Sequence, residues 1–589
     1  MASPYGQGCG HRFCIAIAPV RHGGGAGESS PLISARRRAA FSGFRAGVSV
    51  RHLKNNGWTP GCPEMPSGRA VKKGAYIARP RGAWYFRNKV QVRFCFDAGS
   101  SGGSEIADTQ PNKRKLTMPM RITIIGAGPG GYTAAFEAAK AGAEVTLVES
   151  ALLGGTCLNC GCIPTKTLKA SAEALETARR AAEFGLAGTC DLKADMPAIV
   201  ARKRRVSDTL RGGLEKTCAK LKVRVVTGRG QVISASLVRV TRDDGSVEEI
   251  AGDRVIIATG SSTLNLPSLP VDHTHILTSD DALELDHVPS SIIIVGGGVI
   301  GTELAFIYRA FGSRVTVVEG QTRILPVPGV DRDMSALIQR EMKKAGIAVE
   351  LCRTVNATET RDGAVVAHLG PSPFLPEDAI PAAARKEGTL EAEAVFVTVG
   401  RVPNTDGLGL AEAGIATDRR GYIAVNDELE TGVPGVYAIG DILGPTRVML
   451  AHMAVAEAFV AVKNCLGGHE TAKYDVVPSG IFASPEVADV GLTEEQAREK
   501  GFDVAVSTFQ FRELGKAQAM GHLPGVFKLV ADRASGKLLG AHLAGAHATD
   551  LIAETALALQ MGASVQDIAH TIHAHPTLAE GVFEAAHMF

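Results

Sequence analysis

Two glycine-rich turns, each set between an apolar strand and a helix, predict an α/β chain containing two Rossmann-like dinucleotide-binding units. In both, an acid that ends the following strand stands 23 positions after the first glycine of the turn. After residue 470 the pattern changes to several short strands and helices, which predicts a separate α+β C-terminal domain.

The chain has 589 residues, 45% apolar and 21% charged. That is the composition of a globular protein with several domains and excludes a uniformly disordered chain. It has no run of about 18 apolar residues, which argues against a membrane-spanning helix. Eleven Cys are too few for a disulfide scaffold. The net charge of +2 hides an asymmetry. Residues 1–117 hold 19 Lys+Arg against 5 Asp+Glu, a charge of +14, and residues 118–589 hold 44 against 56, a charge of −12. Both Trp, Trp58 and Trp84, lie in the first part.

Residues 1–117 read as a low-complexity basic leader, rich in Gly, Arg and Ser and without a sustained period. Three readings compete: an organelle transit peptide, a basic arm for nucleic acid or an anionic surface, and translated upstream sequence with the start at Met118 or Met120. The last is favoured, because ordered pattern begins directly after Met120. It implies a cytoplasmic protein; a transit peptide would send it to the mitochondrial matrix or a plastid. A secretory signal fits poorly, since the apolar run Phe13–Val20 is short and contains Pro19. The net acidic charge of residues 118–589 gives nucleic-acid binding no further support.

The first unit begins with the apolar run Ile122–Ile125. The turn Gly126-Ala127-Gly128-Pro129-Gly130-Gly131 follows, then an Ala-rich helix to about Ala141 and a strand Val145–Val148 ending at Glu149. Gly126 permits the tight turn, Gly128 lets a pyrophosphate approach the backbone, and Gly131 allows close helix–strand packing. The helix start offers N–H groups and a positive dipole end to phosphates, and Glu149 can accept from a ribose diol. The second unit repeats this with strand Ile292–Val295, turn Gly296-Gly297-Gly298-Val299-Ile300-Gly301, a helix over Glu303–Phe311 and strand Val315–Val318 ending at Glu319. Gly296, Gly298, Gly301 and Glu319 take the matching roles. Two such sites point to electron transfer between two bound nucleotides. Glu319 would repel a 2′-phosphate and so favours NAD over NADP; Arg323, nearby in sequence, weakens this slightly.

Between the units stands Gly154-Gly155-Thr156-Cys157-Leu158-Asn159-Cys160-Gly161-Cys162-Ile163-Pro164-Thr165-Lys166. Helical pattern continues to about Ala182, and Pro164 suits its first turn. Cys162 would then lie at a helix N-terminus, where the dipole favours a thiolate, with Lys166 adding positive charge. Such surroundings suit a redox-active dithiol. A structural metal site and inert thiols are the alternatives; zinc would need a fourth ligand, and no nearby Cys or His offers one at the usual spacing, so no metal is expected.

The segment Gly154–Lys166 resembles the active-site motif of the flavoprotein disulfide reductases, and the resemblance extends over residues 120–589. Within that family the chain is most similar to the members that oxidise dihydrolipoamide with NAD. The resemblance implies bound FAD and NAD and a disulfide between Cys157, which meets the substrate, and Cys162, which faces the flavin. Lys166 resembles the lysine beside the flavin, and Glu303 its ion-pair partner. Many members carry an apolar residue at the position of Cys160, so a Cys157–Cys160 disulfide is an alternative; Cys160 is expected to be a bystander.

Val255–Ala258 with Thr259 and Gly260, and Val395–Val399 with Gly400, resemble the strands that close the two units. Val436–Ile439 with Gly440 and Asp441 resembles the second flavin fingerprint, with a strand delivering Asp441 toward a ribityl hydroxyl. His452 is expected to be structural. In His573-Ala574-His575-Pro576, the resemblance places the catalytic base at His575 and its orienting carboxylate at Glu580; chemistry alone does not choose among His570, His573 and His575. It also implies a homodimer in which this histidine serves the other subunit, with a C-terminal dimerisation domain. The expected domains are residues 1–117, 118–267 (FAD, first part), 268–400 (NAD), 401–469 (FAD and central, second part) and 470–589 (interface). The expected partner is a lipoyl-bearing acyltransferase or a glycine-cleavage component. Alternatives are an NADH-linked reductase of another disulfide and a mainly structural subunit of a 2-oxo acid dehydrogenase complex. A mercuric reductase fits poorly, because the last cysteine is Cys465. The basic run Arg202–Arg205 reads as a solvated helix face.

Overall fold

The computed structural model describes residues 119–188 and 191–589. The leader, and every expectation placed on it, lies outside these residues.

The two glycine turns open two parallel sheets of the same design. In the first sheet, strand Arg121–Ile125 pairs with Glu144–Glu149 on one side and with Arg254–Ile257 on the other. Arg224–Thr227 and Val436–Ala438 complete the edges. In the second, Ser291–Val295 pairs with Arg314–Glu319 and with Ala394–Val397, and Ala348–Leu351 and Ile276–Thr278 form the edges. All these pairs are parallel, and the strands read as continuous apolar runs because helices or loops cover both faces. The second unit is inserted into the first. Ser261–Thr263, on the way in, pairs antiparallel with Arg401–Pro403, on the way out.

The duplication goes further than the fingerprints. Each unit also carries a three-stranded antiparallel meander: Arg229–Ser234, Leu237–Thr241 and Val247–Ala251 in the first, and Arg353–Arg361, Ala364–Pro371 and Gly388–Ala392 in the second. The C-terminal domain is a five-stranded antiparallel sheet in the order Ser479–Ile481, Glu486–Gly491, Leu538–Gly545, Val526–Asp532, Val504–Gln510.

Helix Cys162–Arg179 ends three residues before the expected Ala182; residues Ala181–Phe184 form a 3-10 turn. It packs on helices Met196–Leu221 and Val299–Phe311. Ten of the thirteen residues of Val299–Phe311 are buried, as expected of a helix enclosed on all sides. Leu168, Ala172 and Leu175 share one core with Phe306, Tyr308 and Ile481, so the thiol-bearing helix is clamped by all three domains.

The basic run on helix Met196–Leu221 departs from expectation at Lys203, while Arg202, Arg204 and Arg205 are exposed as a solvated face requires. Lys203 is 1% exposed and donates to Leu283 O (2.9 Å) and to Glu284. Arg204 pairs with the same Glu284, and Arg202 donates to Thr167 O (3.1 Å). The run bolts this helix to its neighbours, because a buried ammonium needs a partner.

Candidate active site

Gly154 and Gly155 take φ of +101° and +57°, so the chain turns sharply into the short helix Gly155–Asn159, which carries Cys157. Cys160 ends that helix, and the next begins at Cys162. This loop is held against the first glycine turn. Gly154 N–H donates to Ala127 O (2.9 Å), and a Cβ on Gly155 would lie 2.7 Å from Gly128 Cα.

The side chains of Cys157 and Cys162 are hydrogen-bond neighbours, the proximity that the implied disulfide requires. That bond, and then the Lys166 ammonium, hold Cys162 down to about 7, although burial and Glu303 push the other way. The same bond, burial and the charge on Cys162 push the Cys157 thiol far up. The thiol of Cys160 instead has Asp280 and Thr156 as hydrogen-bond partners; burial, then Asp280, push it up to about 12.

Lys166 Nζ sits 2.9 and 3.1 Å from the two oxygens of Glu303 and 4.2 Å from the centre of the Phe482 ring. The Glu303 side chain is 4% exposed, and its Oε1 also accepts from Phe482 N–H (2.9 Å). One buried carboxylate therefore ties together the thiol helix, the second unit and the C-terminal domain.

At the first turn, Gly126 has φ +98°, and a Cβ on Gly131 would stand 1.8 Å from Gly126 O. At the second, Gly296 has φ +105°, and the equivalent distance from Gly301 to Gly296 O is 2.0 Å. The chain itself requires glycine at all four. Gly128 and Gly298 differ. Their φ of −68° and −71° suit any residue, and an added Cβ would meet nothing within 4 Å. A ligand's phosphates approaching the helix start supply the missing reason for glycine.

The two acids also repeat. Glu149 accepts from Ala127 N–H (2.7 Å) and Ala151 N–H (2.8 Å); Glu319 accepts from Gly297 N–H and Gln321 N–H, both 2.7 Å. Each clamps its own glycine turn and keeps further lone pairs for a ribose diol. Arg323 is turned away, donating to Val330 O (3.0 Å).

Asp441 lies in a 3-10 turn after strand Val436–Ala438 and accepts from Ser261 Oγ (2.7 Å), which itself accepts from Arg401 Nε (2.7 Å). The turn is held by Glu457, 1% exposed, which accepts from Gly440 N–H (2.6 Å) and Tyr474 O–H (2.7 Å); burial pushes its carboxyl upward. Thr259 Oγ1 donates to Asn404 O (2.9 Å), and Gly260 and Gly400 have φ of +69° and +139°. Glu457, Ser261, Arg401 and Phe482 escaped the sequence reading, since each acts through a partner remote in the chain.

The three candidate histidines separate, with His570 exposed at the end of helix Val565–Ala569. His573 Nε2 pairs with Glu554 (2.9 Å) and is nearly buried. His575 is 78% exposed and its Nδ1 donates to Glu580 Oε1 (2.7 Å). The other oxygen of Glu580 accepts from Thr577 N–H (2.8 Å); that bond, then His575, hold its carboxyl below the usual range. His452 Nε2 donates to Pro478 O (2.7 Å).

Residues 120–458 match the family described as pyridine nucleotide-disulphide oxidoreductase, and residues 477–586 match its dimerisation domain. A dihydrolipoyl dehydrogenase of Chlorobaculum tepidum is 41% identical over 472 residues, covering 80% of this chain and 97% of that protein. Another, of Geobacillus stearothermophilus, is 40% identical over 465 residues, 79% and 94% of the two chains. The solved structure of LpdA from Mycobacterium tuberculosis is similar with a TM-score of 0.72 and 29% identity, over 80% of this chain and 99% of that one.

Proposed function

The chain belongs to the pyridine nucleotide-disulphide oxidoreductases, and on that premise we propose that it is a dihydrolipoyl dehydrogenase, oxidising protein-bound dihydrolipoamide to lipoamide and reducing NAD. The observation that carries this is the hydrogen-bonded pair Cys157 and Cys162, set at a helix start, beside Lys166, against the first glycine turn.

FAD would be held by the turn Gly126, Gly128 and Gly131, by Glu149 and Asp441, and by Thr156, Lys166, Thr259 and Gly260. NAD would be held by Gly296, Gly298, Gly301, Glu319 and Gly400. When bound, FAD supplies a two-electron relay between the thiol pair and NAD.

The chain's own groups do the sulfur and proton chemistry. His575, oriented through Glu580, takes the proton of one substrate thiol. The resulting thiolate attacks Cys157 in the oxidised pair, the Cys157–Cys162 bond breaks, and Cys162 leaves as a thiolate held by Lys166 and the helix start. The second substrate thiol loses its proton and attacks the substrate sulfur bound to Cys157. Lipoamide closes and Cys157 is released. The lipoyl group loses two electrons and the enzyme pair gains them.

The active unit is a homodimer, with His575 of one protomer serving the thiol pair of the other. The matched dimerisation domain supports it. So do exposed apolar side chains in the same domain, Leu557, Met561 and Ile572, at 61%, 77% and 97%. The substrate is borne by a lipoyl acyltransferase or a glycine-cleavage component. No helix among the described residues is long and apolar enough to cross a membrane, and the protein is assigned to the cytoplasm unless N-terminal sequencing shows a cleaved leader.

Cys157→Ser abolishes dihydrolipoamide oxidation and leaves FAD bound; retained turnover overturns the proposal. Parallel assays with dihydrolipoamide, glutathione disulfide, NAD and NADP separate it from a reductase of another disulfide.

A further inference from the structure

The meanders of the two units differ in the length of their second connection. In the first meander the second turn spans residues 242–246; in the second meander the equivalent connection spans 372–387. Sixteen residues therefore replace five, and they lie at the second nucleotide turn. The inserted loop is anchored. Ile380 and Ala384 pack with Cys352, and Leu375 joins them. Ser372 is 3% exposed, and its N–H donates to Cys352 O (2.9 Å). Arg353 donates to Lys386 O (2.6 Å). Cys352 N–H in turn donates to Gln321 O (3.1 Å), two residues beyond Glu319.

This well-held loop carries one aromatic side chain, and it is exposed. Phe374 is 70% exposed, and its ring lies against Gly320: a Cβ there would be 3.1 Å from Cδ2 and 3.4 Å from Cε2. An aromatic ring is thus fixed beside the residue that follows Glu319, with most of its surface left open. A base attached to a ribose held by Glu319 lies within one sugar's reach of that ring. We propose that Phe374 is the stacking platform for the adenine of NAD, and that the loop 372–387 sets the affinity of this chain for adenine nucleotides. The inference rests on reading the second turn as the NAD site.

Loss of one aromatic–base stack weakens binding by about tenfold. The probes are ADP-ribose, which has the adenine but no nicotinamide, and nicotinamide mononucleotide, which has the reverse. Calorimetry on the FAD-loaded protein is expected to give a Kd for ADP-ribose about tenfold higher in Phe374→Ala and near the native value in Phe374→Tyr, with unchanged FAD content. The KM for NAD rises in parallel at unchanged kcat, whereas the KM for nicotinamide mononucleotide does not move. Residues 119–589 contain no Trp, so in a chain lacking the leader Phe374→Trp also provides a fluorescence reporter that ADP-ribose quenches. Equal ADP-ribose affinity in the native protein and Phe374→Ala overturns this inference alone. A native protein that binds neither ADP-ribose nor NAD overturns both it and the NAD site.

Discussion

A thiolate at Cys162 rests on two neighbours, the Cys157 S–H and the Lys166 ammonium. The pair therefore loses its first proton near pH 7, lower than an ordinary thiol at about 8.5. Because the value is depressed, the thiolate is present above that pH and is lost below it. Alkylation of the reduced protein by iodoacetamide should rise through a midpoint near 7, and Lys166→Met should move it upward; a native midpoint at the ordinary thiol value would contradict this. His575→Gln is expected to lower kcat by about 10²–10⁴-fold, the usual worth of a positioned base, with FAD content unchanged; steady-state kinetics checks it. The positions of these residues were legible because a close resemblance over short motifs singles them out. Glu457 and Phe482 were not. A buried glutamate in helix Ala451–Cys465 and a backbone N–H from another domain leave no local pattern, and only the folded chain brings them to Gly440 and Glu303.

Among elements, the glycine turns were the most readable, because a strand, a tight turn and a helix start each impose their own residue types within a few positions. The structure divides their glycines into those that the chain needs and those that a ligand needs. Gly131→Ala forces a methyl onto Gly126 O and should destabilise the fold by at least the roughly 1–3 kcal/mol of ordinary overpacking. Gly128→Ala meets no obstacle within the chain, so it should leave the denaturation midpoint of FAD-free protein unchanged and reduce FAD retention. Denaturant unfolding and flavin absorbance separate the two outcomes. The basic run Arg202–Arg205 shows where local reading stops. Four consecutive cations look solvated, yet the helix phase turns Lys203 inward to Leu283 O and Glu284, which periodicity without a tertiary partner does not reveal.

Across the molecule, a buried ionic group joins the second unit to the C-terminal domain. Lys528 Nζ, its side chain 4% exposed, lies 3.0 Å from Asp331, 2.7 Å from Asp333 and 3.1 Å from Glu494. Burial opposes the charge on Asp331, but His542, the Asp333 N–H and Lys528 together hold its carboxyl low; Glu494 is also low, through Arg498 first. Stability from this group is complete above the ordinary carboxylate range and is lost as pH falls through that range to the lowered values beneath it. Lys528→Met strands Asp331 without its partner and should cost about 3–5 kcal/mol at neutral pH, with a smaller loss toward pH 4, read by denaturant unfolding. Domain order was legible, since the duplication shows in the chain, and the resemblance implied that residues 268–400 interrupt the first unit; the pairing of Ser261–Thr263 with Arg401–Pro403 that closes this insertion was not, because the two strands lie 140 residues apart along the chain. The central claim is that Cys157 and Cys162 are a redox couple in series with a flavin, and anaerobic dithionite titration counts its electrons directly. The oxidised FAD-loaded native protein should take up four electrons per chain, two in the sulfur pair and two in the flavin, and Cys157→Ser only two; uptake of two by both would contradict the account.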